Sequence, residues 1–500
     1  MAGIGFELRR LSTKGGIAAP LSSALHGASV VAGPWLLTVT AMAMLQRLLD
    51  STSPQAFTLQ SIIIYIFCIS LIATAPVITA SQRLVAEELY TSRFEEIRNV
   101  YLLTVVLCVA AGAAGGLLVF GVLFRFGPND LLLGVLAVAT ASMVWPAVAF
   151  ASTVKAFKTI TFGFFVGLAV ALAATLAMLR IGADPALQAF AFSTGLGLAA
   201  SFITLAVLRT FVSPAGELRS TLRKLARTAH RKRIIILGAG LSVVAIWADS
   251  MIVWASPYGT RMSIGLSTAP HYDSALFIAR LTMLPGLIYH LVSIDTSWFS
   301  AIRRFLSAIA GHGTLRKIEE QAGHLFDLTN SSMVRLIVLQ GAATLVLLFL
   351  APVYLPASGL AYVQMSTLRF GILGAFFHVL FFVASTLVLN CGRERAFMRL
   401  QLLFLVLNVS ATALTLALPT AYLGMGYLAA ATLGAIAALF ALKNALKRLT
   451  QETFEDALSD SRQPVFVPGF AARILATTTN RIFSAMKIPM PNLSNGRKSS

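Results

Sequence analysis

The feature that most constrains this chain is a succession of apolar stretches, each about as long as an α-helix must be to cross a bilayer, roughly twenty residues. Twelve of them lie near 22–49, 58–82, 100–123, 131–154, 160–180, 186–208, 234–256, 274–299, 333–356, 364–390, 400–418 and 424–446. Hydrocarbon offers no water to backbone N–H and C=O groups, so a spanning segment must satisfy them internally, and at this length it does so as a helix. The fold expected is therefore all-α, a polytopic membrane protein of about twelve transmembrane helices. Only 12% of the residues are charged, where soluble domains carry roughly twice that share.

The basic residues orient the spans. Arg9, Arg10 and Lys14 cluster at the start, followed by Arg83/Arg93/Arg98, Lys155/Lys158, the run from Arg209 to Arg233, Arg303/Arg304/Arg316/Lys317, Arg335, Arg393/Arg395/Arg399 and the tail from Lys443. Only Arg47, Arg125, Arg180 and Arg261 fall on the opposite side. By the positive-inside rule both termini are expected in the cytoplasm. The net charge of +19 would suggest nucleic acid in a soluble protein; here it is explained by loops on one face of a membrane, and no nucleic-acid partner is expected. The apolar run before Ala41-Met42-Ala43 is too long for a signal-peptide core, so the first span is expected to remain as a helix.

The basic segment 209–233 separates six spans from six. The expected organisation is an N-terminal six-helix bundle (1–208), a basic cytoplasmic linker (209–233), a C-terminal six-helix bundle (234–449) and a cytoplasmic tail (450–500). Paired bundles of this kind recur in transporters. Both halves carry a proline in their second span, Pro76 and Pro285, and Pro34 and Pro146 fall in two further spans. Proline frees backbone carbonyls and marks either a kink beside a cavity or one that serves packing alone. Gly112 and Gly116 permit close helix contact, read as packing within the chain. The 300–331 segment reads as a polar cytoplasmic loop. Residues 468–487 alternate Phe470, Ile474, Ile482 and Phe483 with Arg473, Arg481 and Lys487, a pattern that fits a surface-lying basic helix or a disordered segment.

Catalytic signatures are missing. The chain has no G-x-x-x-x-G-K-[ST] loop, H-E-x-x-H, G-x-S-x-G or Cys-x-x-Cys. Cys68, Cys108 and Cys391 are scattered through apolar sequence and read as small buried hydrophobes. No enzyme activity, cofactor or metal is expected.

What remains is charge inside the spans. A charged side chain at mid-bilayer costs at least ~2.5–3.5 kcal/mol, so each needs a partner or a wet cavity. Asp249 lies seven residues from the outer end of its span and Arg280 six residues into the next. At 1.5 Å per residue both sit about 10 Å deep, which makes a cross-helix ion pair plausible. Asp273 falls at the outer mouth, His290 and Asp295 toward the other end of the same span, Arg369 near the outer end of the tenth span and His378 near its middle. These seven are the candidate transport-pathway residues; each has a blander reading as a packing partner or a solvated loop charge. Tyr258, Tyr272, Tyr289, Trp247, Trp254 and Trp298 surround them, as interface-belt aromatics or as surfaces for stacking on sugar rings.

A family resemblance appears at these residues. Met1-Ala2-Gly3-Ile4-Gly5-Phe6-Glu7-Leu8-Arg9, Gly33-Pro34-Trp35, Thr74-Ala75-Pro76-Val77-Ile78-Thr79, Ile246-Trp247-Ala248-Asp249, Ser256-Pro257 and Ala269-Pro270-His271-Tyr272-Asp273 resemble the PelG family of Pel exopolysaccharide transporters. So do Leu284-Pro285-Gly286, Ile294-Asp295-Thr296, the run Arg369 to His378 and Leu405-Val406-Leu407-Asn408. The resemblance implies a flippase of the multidrug/oligosaccharidyl-lipid/polysaccharide (MOP) superfamily, with two six-helix bundles around a central cavity. It also implies a bacterial inner-membrane machine that passes polysaccharide outward, with a cytoplasmic glycosyltransferase and other membrane subunits as partners. Ser250, Ser267 and Asn390-Cys391-Gly392 depart from the family pattern, and the tail beyond 450 has no counterpart in it.

The function expected is movement of a nascent, Pel-like exopolysaccharide from cytoplasm to periplasm in support of an extracellular matrix, with Asp249 and Arg280 as a polar gate. Two alternatives stand beside it: an ion-coupled efflux pump for small cations, and a non-transporting scaffold that recruits a glycosyltransferase through its basic loops.

Overall fold

The computed structural model describes residues 44, 54–91, 95–153, 156–211, 218–262, 264–311, 313–357 and 362–459. Eleven of the expected spans fall among them, and each is a helix long and apolar enough to cross a membrane. The first expected span, near 22–49 and carrying Pro34, lies outside the described residues apart from Met44.

The N-terminal half consists of α1 (Pro54–Tyr90), α2 (Glu95–Gly116) continuing into a π-helical turn at Leu117–Leu123, α3 (Pro128–Ala141), α4 (Val144–Thr153), α5 (Phe157–Arg180) and α6 (Pro185–Thr210). Pro128 and Pro185 stand in the first turns of their helices, where the missing N–H would have no intrahelical partner anyway. Gly112 and Gly116 do pack within the chain: a Cβ on Gly112 would meet Ser142 Oγ at 2.0 Å, and one on Gly116 would meet Val135 Cα at 3.3 Å. The glycines let α2 approach the span formed by α3 and α4.

The basic segment between the halves contains a helix, α7 (Leu218–Arg231), fixed to the N-terminal half rather than strung loosely between the two. Its buried side carries Thr221, Leu225 and Thr228. Lys224 reaches Glu96 (2.6 Å) and Glu88 (3.7 Å), and Arg231 reaches Glu87 (2.6 Å). The C-terminal half begins with α8 (Arg233–Trp254), then a hairpin of two short antiparallel strands, β1 (Thr260–Arg261) and β2 (Ser267–Thr268). A long broken span follows: α9 (Pro270–Leu281), α10 (Leu284–Tyr289), a π-helical turn at His290–Ile294, and α11 (Asp295–Ala310). The half is completed by α12 (Leu315–Ala357), α13 (Met365–Asn390), α14 (Glu394–Thr415) and α15 (Met425–Lys447), with α16 (Leu449–Ser459) beyond it. The two halves meet where α1 packs against α8.

The expectation of a polar loop at 300–331 is corrected: α11 runs to Ala310 and α12 begins at Leu315. The segment is polar on average but amphipathic. Ile302, Phe305, Leu306, Ile318 and Leu325 are buried while Arg304, Arg316 and Lys317 are exposed, so the helices continue beyond apolar depth with one face packed. The tail pattern at 468–487 lies outside the described residues; Leu449–Ser459 is helical, and Glu452 pairs with Arg393. Phe349, Val353, Leu123 and Phe440 remain 64–83% exposed, as lipid-facing side chains should.

Candidate functional site

Asp249 and Arg280, set at similar depth by the sequence, meet. Asp249 is in the last turns of α8 and wholly buried; Arg280 is at the end of α9, its side chain 15% exposed. One guanidinium nitrogen, Nη2, donates to both carboxylate oxygens, at 2.9 Å to Oδ1 and 2.8 Å to Oδ2. Tyr272, two turns earlier on α9, donates its hydroxyl to Oδ2 at 3.1 Å. Asn408 on α14 donates to the Ala245 carbonyl at 3.0 Å and approaches Asp249 Oδ1 at 3.4 Å. The guanidinium lies 5.2 Å from the ring centre of Tyr427 on α15, a cation–π contact.

Through Tyr427 the cluster reaches α13. The Tyr427 hydroxyl is 2.9 Å from His378 Nδ1, and the His378 ring packs 4.8 Å from Phe404, itself stacked on Phe381. Gly374, one turn before His378, makes room for the tyrosine: a Cβ there would stand 2.6 Å from two Tyr427 ring carbons. Five helices of the C-terminal half thus meet in one polar cluster built on the Asp249 carboxylate. Two polar atoms of the cluster, Arg280 Nε and Asn408 Oδ1, are buried without a hydrogen-bond partner among the described residues.

The other candidates sit apart. Asp273 lies in the first turn of α9, not in a loop. Its Oδ2 accepts from Trp254 Nε1 (2.7 Å) and from the Ala269 N–H (3.2 Å), closing the helix start as the acidic partner of a capping box does. This ties the end of α8 to the start of α9 beneath the hairpin. His290 opens the π-helical turn and is buried with its ring edge-on to Phe382 at 6.0 Å. Asp295 begins α11, and its side chain lies outside the described residues. Arg369 is exposed near the start of α13.

Above Asp273 the hairpin joins the two halves. Tyr65 on α1 donates its hydroxyl to the Ser267 carbonyl at 2.8 Å, Ser61 and Thr268 hydroxyls are 2.9 Å apart, and the Tyr65 ring packs 4.8 Å from Trp254.

Sequence reasoning missed the residue that shapes the break between α9 and α10. Pro285 has no N–H to offer Leu281. The next rung, Gly286 N–H to the Thr282 carbonyl, is replaced by a side chain: Gln340 of α12, wholly buried, accepts from Gly286 N and donates to Thr282 O, each at 2.8 Å. A primary amide stands in for a peptide rung and holds it open. The available signal was an amide side chain inside an apolar span; weighing ionisable groups alone passed over Gln340, and Asn408 entered only through the family resemblance.

A family model described as "PelG: Putative exopolysaccharide Exporter (EPS-E)" matches residues 1–454. No curated protein sequence matches the chain. Among solved structures, the Vibrio cholerae MATE transporter VcmN in its bent form is similar with a TM-score of 0.60 at 11% identity, over 90% of this chain and 99% of that one. A MOP superfamily transporter from Pyrococcus furiosus gives 0.55 at 13% identity, over 89% and 97%. An outward-facing multidrug-resistance MATE family transporter gives 0.54 at 12% identity, over 86% and 96%. At such identities the likeness concerns the fold: all-α, polytopic, and of the MOP type.

Proposed function

Because the chain belongs to the PelG family of exopolysaccharide exporters, we propose that it carries a nascent, Pel-like polysaccharide from the cytoplasm to the periplasm. It is a multi-pass membrane transporter and not an enzyme. On this reading it sits in a bacterial inner membrane with both termini cytoplasmic, receives polymer from a glycosyltransferase and other membrane subunits, and supplies an extracellular matrix. The segments 1–208 and 234–449 move as two bundles about the 209–233 connection.

Magnitudes assign the moving parts. Both members of the Asp249–Arg280 pair belong to the C-terminal half, and separating them would strand a buried charge at a cost of about 3–5 kcal/mol. Among the described residues, the hairpin seam between the halves carries two hydrogen bonds and one aromatic contact. At about 0.5–1.5 kcal/mol each, these total a few kcal/mol, within reach of a conformational equilibrium. The seam therefore opens as the outer gate. The Asp249–Arg280 cluster, with His378 behind it, moves intact as the polar wall facing the pathway, and Asp273 keeps the hairpin registered on α8 and α9. His290, Asp295 and Arg369 line the route on either side of it.

The observation that carries this reading is the closeness of Ser61 to Thr268 across the seam, and it supplies the test. In a deletion strain, a Ser61→Cys/Thr268→Cys variant is oxidised and reduced while secreted polysaccharide is measured, with the cross-link followed by gel shift after cleavage between the halves. Export should stop on oxidation and return on reduction. Undiminished export through a fully cross-linked protein would refute the gate. If the reduced variant and the wild type both restore no polysaccharide, but drive ion-coupled dye uptake into vesicles, the substrate assignment fails in favour of a small-cation pump.

A further inference from the structure

The geometry points to α7 as a docking surface for anionic phospholipid headgroups, and we propose that it binds them through one row of arginines beside one row of leucines. The level of the helix is fixed twice. Lys224 and Arg231 bind the carboxylates Glu87, Glu88 and Glu96, which stand at the end of α1 and the start of α2. Its C-terminus runs within two residues into the span of α8, which starts at Arg233. A helix held at both places lies at the height where spans end and headgroups begin.

The face that α7 turns outward is itself divided. Taking 100° per residue, the buried side is centred on Thr221, Leu225 and Thr228. Next to it runs an apolar row of Leu218 and Leu222, 51% and 45% exposed, and then Ala226. Beyond Ala226 come Arg219, Arg223 and Arg227, all exposed and in no ion pair among the described residues, with His230 beside them. The three arginines are spaced at i, i+4 and i+8, about 6 Å between neighbours along the axis. No acidic residue occurs between Leu218 and Arg231.

Such a surface has a definite complement. Leucine rows seat in the acyl boundary while arginines reach up to phosphate, and guanidinium forks match phosphate oxygens. An acidic protein surface would satisfy the arginines but leave two half-exposed leucines against water or polar groups. Lipid satisfies both rows, and it is already the neighbour at this height. The arrangement holds whatever polymer the transporter carries.

The test uses the full chain with Ala226→Cys labelled by a fluorophore; Cys68, Cys108 and Cys391 are buried. The protein is reconstituted in vesicles of zwitterionic phospholipid with a minor fraction of phosphatidylglycerol, and either lipid carries a nitroxide on its headgroup. Labelled phosphatidylglycerol should quench the reporter far more strongly than the labelled zwitterionic lipid at equal mole fraction. The Arg219→Gln/Arg223→Gln/Arg227→Gln variant should lose that preference, corresponding to about a hundredfold weaker headgroup binding. Neutralising three exposed basic residues elsewhere, Lys443→Gln/Lys447→Gln/Arg448→Gln, should leave it in place. Equal quenching by both lipids overturns the proposal. So does an unquenched reporter, which would turn the face to water or to an acidic protein, and so does an equal loss in the control variant.

Discussion

Replacing Gln340 by methionine keeps the length and volume of the side chain and removes its two hydrogen bonds. In the native protein the amide joins the Gly286 N–H to the Thr282 carbonyl, both at 2.8 Å, inside a site where Gln340 itself has no exposed surface. Methionine leaves a backbone donor and a backbone acceptor buried and unpaired. Each such group costs about 1–3 kcal/mol, so the break held in place by packing should lose about 2–6 kcal/mol. The chain has one escape: Gly286 N–H can bond Thr282 O directly if α9 and α10 straighten, but Pro285 still leaves the Leu281 carbonyl without its rung. Adding Pro285→Ala restores that rung. The double variant Pro285→Ala/Gln340→Met should therefore recover much of the stability lost by Gln340→Met alone, a coupling of the sign opposite to two independent defects. The assay is reversible unfolding of the purified protein by a denaturing detergent in mixed micelles, followed by circular dichroism, with each single and the double variant compared. A Gln340→Met protein within about 0.5 kcal/mol of the wild type, or a double variant whose losses simply add, would refute the claim that the amide holds the rung open.

Arg280→Met should destabilise by about 3–5 kcal/mol because it strands the Asp249 carboxylate among Tyr272 and Asn408. Asp249→Asn combined with Arg280→Met should cost less than Arg280→Met alone, and the same unfolding assay reads the difference. Gly374→Ala places a methyl group 2.6 Å from the Tyr427 ring. It should cost about 1–3 kcal/mol through overpacking and should push Tyr427 off His378, seen as a changed His378 imidazole signal in nitrogen NMR of selectively labelled protein.

Much of the fold was legible because a bilayer reduces the choice to length and polarity, and eleven apolar stretches gave eleven spans. The segment 300–331 was not, because mean polarity cannot distinguish a loop from a helix with one packed face; the periodic Ile302, Phe305, Leu306 and Ile318, Leu325 carried the information. The Asp249–Arg280 pair was legible from depth alone, since two opposite charges at one level in neighbouring spans have few other partners. Their company was not. Tyr272 resembles an interface aromatic in sequence, and only the fold brings it to the Asp249 carboxylate and sets Tyr427 of α15 against the Arg280 guanidinium. The blander reading of Asp273 as a solvated loop carboxylate fails, because the helix starts at Pro270 and takes it as a cap.

The two prolines sharpen the same lesson. Pro76 and Pro285 occupy matching spans in the two halves, and each removes one backbone donor. Pro76 stays inside a continuous helix, its ring 3.7 Å from where a Cβ on Gly240 would stand. Pro285 stands at a break. The missing N–H is common to both and cannot explain the difference. What differs is a third helix: beside Pro285, α12 presents an amide that accepts from one side of the next rung and donates to the other, so the opened geometry leaves Thr282 and Gly286 satisfied. A straight helix at Pro285 would strand the buried Gln340 amide in its turn. The break is therefore a property of the pair, and its sequence mark is as much Gln340 within an apolar span as the proline fifty-five positions before it.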